Sequence, residues 1–142
     1  MKADTRSSVL SGQIGVLMMV SVLVAACGKS INPPRIVGGT ISTDQTGSTR
    51  PLTSSEVAAV SDWLAQHYSG WRANVATSPP GTVYISLDAP SQPAAVRLTL
   101  WLGPKYPGWN RAVLVEMSAQ KTILIQSFSD ADLSSVVRLV AD

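Results

Sequence analysis

The pattern of apolar and polar positions divides the chain into a leader, a tether and one folded unit. From residue 54 onward the periods are clear. Val57, Val60, Leu64 and Tyr68 recur at helical spacing, Ser54 or Ser55 stands where an N-cap is needed, Glu56 lies in the first turn, and Gly70 is a stop, so the spacing predicts a helix over 54–68. Alternation then takes over. Val83, Ile85 and Leu87 alternate with Tyr84, Ser86 and Asp88, and Val96, Leu98, Leu100 and Leu102 alternate with Arg97, Thr99 and Trp101. Ala112 to Met117 and Lys121 to Phe128 are two further strand-like runs joined at Ser118-Ala119-Gln120, and Trp71 to Thr77 is a candidate edge strand. A second helix, capped by Ser129 or Asp130, presents Leu133, Val136, Val137 and Val140 on one face, with Arg138 in its last turn.

Connections this short favour antiparallel hairpins over parallel crossovers. The expected fold is α+β: a two-layer sandwich in which an antiparallel meander of four or five strands is flanked by an N-terminal and a C-terminal helix over residues 54–142. All eight aromatic residues, Trp63, Tyr68, Trp71, Tyr84, Trp101, Tyr106, Trp109 and Phe128, lie in this part of the chain, which places the core there.

The N-terminal pattern is different in kind. Ile14 to Ala26 is an apolar run of 13 residues behind a weakly basic start, Lys2 and Arg6. That length suits the core of a signal peptide and is short of the ~20 residues a membrane span needs. Directly after it come Val24-Ala25-Ala26-Cys27. This arrangement resembles the lipobox of bacterial lipoproteins, an aliphatic residue and two small residues before an invariant cysteine; Val24 stands where Leu is commoner. The resemblance implies removal of residues 1–26, a diacylglyceryl group on the Cys27 thiol and acylation of the new amino terminus. It also implies a location. Gly28 rather than Asp follows the cysteine, which by the sorting habit of Gram-negative lipoproteins favours the periplasmic face of the outer membrane.

Residues 28–53 contain 15 Gly, Pro, Ser or Thr in 26 and no aromatic residue. Such a composition predicts a flexible tether, so that 27–53 would hold the domain clear of the bilayer. Within it, Arg35-Ile36-Val37-Gly38-Gly39 is similar to the activation site of trypsin-like proteases. The likeness ends there: His67 is the only histidine of the chain, and no Gly-Asp-Ser-Gly-Gly surrounds a serine.

Charge and candidate chemistry change the picture little. Eleven basic and nine acidic residues become nine and eight once Lys2, Arg6 and Asp4 leave with the leader, and the basic residues are spread evenly, so no nucleic-acid partner is expected. With one cysteine there is no internal disulfide, and no metal site, cofactor or catalytic residue is expected. His67 lacks a second ligand at metal spacing, no nucleophile elbow or phosphate loop occurs, and Asp88 and Glu116 read as solvated cross-strand charges rather than an acid pair. Most functional interest falls on Leu102 to Arg111, a Gly- and Pro-stiffened segment carrying Tyr106 and Trp109. These rings either fold back to cap the sheet, the favoured reading, or act as binding anchors, with Trp101, Tyr84 and Arg97 extending the patch on the outer sheet face. The functional expectation is a non-enzymatic, lipid-anchored envelope protein that engages another envelope component. The alternative is a binder of a small ligand, glycan or peptidoglycan fragment.

Overall fold

The computed structural model describes residues 28–44 and 47–141. The leader and Cys27, and with them the expected cleavage and acylation, lie outside the described residues. The order of elements is β1 (Gly38–Thr43), β2 (Thr49–Pro51), α1 (Ser54–Gln66), β3 (Arg72–Ala73), β4 (Val83–Ala89), β5 (Gln92–Leu100), β6 (Ala112–Met117), β7 (Gln120–Ser127) and α2 (Asp130–Ala141). The strands form one antiparallel sheet in the order β2-β1-β4-β5-β6-β7-β3. The α+β class is as expected, but the sheet has seven strands, not four or five.

The alternation that predicts β4 to β7 also sets their register. Ile41, Ile85, Leu98, Val115 and Leu124 stand opposite one another in turn, a single apolar row crossing β1, β4, β5, β6 and β7. These side chains meet Val60, Trp63 and Leu64 of α1 and Leu133, Val136 and Leu139 of α2, so both helices cover one face of the sheet. Because side-chain period in a strand is two, a slip of one residue anywhere along this row would move a whole strand's apolar set to the other face.

The extra strands come from the segment expected to be a tether. Residues 38–51 form β1 and β2, Ile41 is 3% exposed, and upstream Ile31 is equally buried in the same core. Threonine is a good strand former, and glycine here serves close packing rather than freedom. A Cβ on Gly39 would collide with the Ser86 carbonyl of β4. The expected edge strand after Trp71 is present but shrinks to Arg72–Ala73, paired with Ile125 and Leu124 of β7.

Helix ends differ by small steps from expectation. The N-cap of α1 is Thr53, not Ser54 or Ser55: its hydroxyl accepts the Glu56 amide while the Glu56 carboxylate accepts the Thr53 amide, a capping box. Glu56 also binds Arg50 of β2 at 2.8 Å, and the Arg50 guanidinium donates a further bond of 2.9 Å to the Leu139 carbonyl of α2. This guanidinium holds the Glu56 carboxyl below its ordinary pKa. At the other end α1 stops at Gln66, which leaves Tyr68 exposed rather than in the buried stripe; Trp63 takes that place. In α2 the Ser129 hydroxyl caps the Asp132 amide, and Leu139 is buried where Val137 was expected.

A candidate binding face

The sheet face opposite the helices carries its own small apolar cluster. Trp101 follows β5, is 2% exposed, and packs with Ala112 and Leu114 of β6 and Ile125 of β7. Its indole N–H reaches the carbonyls of Pro80 at 3.1 Å and Pro79 at 3.2 Å, satisfying the one polar atom that burial would otherwise strand. Tyr106 and Trp109 fold back onto this cluster, and the two indoles lie 4.8 Å apart at 50°. The favoured reading of the loop therefore describes its geometry: the rings cap the sheet.

Backbone chemistry makes the fold-back stable. Gly103 and Gly108 have φ of 96° and 83°, a region that glycine occupies without steric cost. The Gly103 amide donates to Asn110 Oδ1 at 2.9 Å, Arg111 N to the Trp101 carbonyl at 2.7 Å, and Ala112 N to the Trp109 carbonyl at 3.0 Å. Lys105 Nζ lies 3.1 Å from Asp44 Oδ2, tying the loop to the end of β1; the carboxylate raises the Lys105 pKa.

Of the five candidate binding residues, Trp101, Tyr106 and Trp109 come together. Tyr84 stays outside that cluster, 41% exposed, with its hydroxyl accepting the Gly81 amide at 2.8 Å. Arg97 is exposed further down β5, between Ser86 and Glu116 in register, and lines a separate shallow groove with Glu116 and Ile123. A residue the sequence did not single out shares a surface groove with Trp109. Arg72 of β3 and Trp109 line one groove of about 290 Å³ together with Ala112 and Ile125. The only sequence signal for it is its place one residue after Trp71, on the opposite side of an edge strand. A second, more apolar cleft of about 450 Å³ is lined by Leu102 and Arg111 of the loop side and Leu133 and Val137 of α2, with Arg111 3.7 Å from Asp130, which also lines it.

The remaining candidates for chemistry are engaged elsewhere. His67 Nδ1 lies 2.8 Å from the Trp63 carbonyl, its ring stacks on Trp63 at 4.7 Å and meets Phe128 edge-on, and Nε2 is 3.9 Å from Asp132. It closes an aromatic cluster in which Trp63 donates to the Asp132 carbonyl and Trp71 to the His67 carbonyl, both at 2.7 Å. Asp88 Oδ1 accepts the Ala94 amide at 2.7 Å, pinning the β4–β5 hairpin where Ala94 has a φ of 50°. Arg97 stands on the strand between Asp88 and Glu116. Among the described residues no group of three His, Cys, Asp or Glu side chains is placed to hold a metal ion. Comparisons with known protein families, with curated proteins and with solved structures find no match to this chain.

Proposed function

We propose that the protein is a non-enzymatic, lipid-anchored component of a bacterial cell envelope, on the periplasmic side of the outer membrane, whose domain engages another envelope component. The observation that carries this reading is Val24-Ala25-Ala26-Cys27 behind a 13-residue apolar run. Chemical cross-linking of intact envelopes followed by capture of the acylated protein tests the role: a stoichiometric envelope partner is expected, and recovery of the protein alone would count decisively against it.

The groove between Arg72 and Trp109 favours a second reading, binding of a glycan or peptidoglycan fragment. An aromatic wall stacks on a sugar ring and a cation pairs with its carboxylate. Muropeptides should then shift or quench the fluorescence of Trp109. A response unchanged between the native protein and Trp109→Ala would rule this reading out.

A further inference from the structure

We propose that the domain sits directly on the bilayer that holds its anchor, with the outer edge of β3 and the C-terminal end of α1 against the lipid headgroups. This rests on the lipoprotein reading and reverses the expectation of a tether. The chain is fixed to the domain from the first residue after Cys27. A Cβ on Gly28 would stand 2.6 Å from Gly70 Cα, so the two backbones are in direct contact. Lys29 then exchanges both backbone hydrogen bonds with Trp71, at 2.6 and 3.1 Å, and Ile31 N donates to the Tyr68 carbonyl at 2.7 Å. Ile31 itself is buried.

Covalent geometry does the rest. Cys27 Cα is one peptide step, about 3.8 Å, from Gly28 Cα. A free tether of 26 residues would reach as far as about 90 Å. The headgroup layer on each side of a bilayer is only about 5–8 Å thick, so a diacylglyceryl group on the Cys27 sulfur brings Gly28, and with it Gly70, to that layer. What surrounds the attachment point suits it. Tyr68 is 57% exposed beside Ser69 and Lys29, and tyrosine is a residue that settles at the membrane–water interface with its ring among the headgroups. Lys29 and Arg72 of the β3 edge bring two cations to this end and Asp132 borders it through its approach to His67, so its net charge is modest, and the seating follows from the position of the anchor rather than from attraction to anionic lipid. The edge opposite, β2, is six strand spacings away, about 29 Å, and faces the aqueous side.

The single native cysteine makes the test clean, because acylation removes its thiol. Ser69→Cys and Thr49→Cys, each labelled with a fluorophore in the acylated full-length protein, are placed in phosphatidylcholine vesicles containing a headgroup spin label. Quenching is expected to be several-fold stronger at position 69 than at 49, with no dependence on salt. Insertion of a long Gly-Ser linker between Cys27 and Gly28 should erase the difference. Equal quenching at both positions in protein whose mass shows the lipid would overturn the seating alone. A difference that survives the linker would overturn the short attachment as its cause. A mass without the lipid would overturn the seating together with the lipoprotein reading.

Discussion

At the scale of single residues, the structure assigns work to side chains whose type alone suggested something else. Glycine is the clearest case. Gly28 is the residue that would be read for sorting, yet it is also a packing position: any Cβ there meets the Gly70 backbone, and Gly70 has a φ of 85° and Gln126 against it. Gly28→Ala should therefore cost about 1–3 kcal/mol, the scale of overpacking a tight site, measured by urea unfolding of the mature-length chain; no change would mean that the Gly28–Gly70 contact is dispensable. A Gly28→Asp substitution would change sorting and stability together, and only a parallel unfolding measurement separates them. Glu56 gives a pH signature. Its carboxyl pKa is depressed by the Arg50 guanidinium, so the group contributes stability above the ordinary carboxylate range. That contribution is lost as pH falls from the unfolded value toward and through the depressed folded one. Arg50→Ala should cost about 1–2 kcal/mol at neutral pH, since it removes both a charge-assisted bond to Glu56 and one to Leu139. The penalty should shrink as pH falls below the ordinary carboxylate range, and a penalty independent of pH would point to the Leu139 bond instead.

At the scale of elements, the parts with strong period were legible and the parts held by tertiary contact were not. Ile85, Leu87, Val96 and Leu98 alternate without interruption, and β4 and β5 follow directly. Trp101 was legible as an outward-facing residue because it continues the alternation of β5, but not as a buried one, since burial depends on a loop that folds back through two glycines at positive φ. β1 was hidden by its composition: Gly-Gly-Thr-Ile-Ser-Thr contains a single large apolar residue, and only pairing with β4 turns it into structure. Arg72 as a groove wall was illegible because the site joins an edge strand to a loop more than thirty positions away. Ile41→Ala tests the reassignment of the tether. It should destabilise the domain by about 2–5 kcal/mol, the range for emptying a buried aliphatic site, whereas a tether residue would cost nothing in an unfolding titration. Amide exchange gives a second view, with protection expected at the β1 positions that pair with β4. For the loop, Trp109→Ala should uncover Trp101 and shift indole emission to longer wavelength; unchanged emission would show that Tyr106 and the Pro79–Pro80 turn shield Trp101 on their own.

At the scale of the whole molecule, a proposed address at the N-terminus meets an architecture that starts close to it. Cys27 would supply the proposed membrane attachment, and the first described residues, Gly28 and Lys29, already pack against the domain, so under that proposal the domain would have a fixed membrane-facing end in place of an expected flexible tether. The proposed seating would order the surfaces: the groove lined by Arg72 and Trp109 lies beside the β3 edge and would be near the bilayer, while β2 and β1 would face the aqueous side. A partner reaching across the periplasm would meet the β2 edge first, and a ligand in the groove would be held close to the membrane. All of this depends on what happens at Cys27. The measurement that tests it most directly is the intact mass of the protein extracted from bacterial membranes. A chain that starts at Cys27 and carries a diacylglyceryl group with one further acyl chain is expected, reverting to the full unmodified precursor in Cys27→Ala. Recovery of the native protein with its thiol free, or with residues 1–26 still attached, would contradict it.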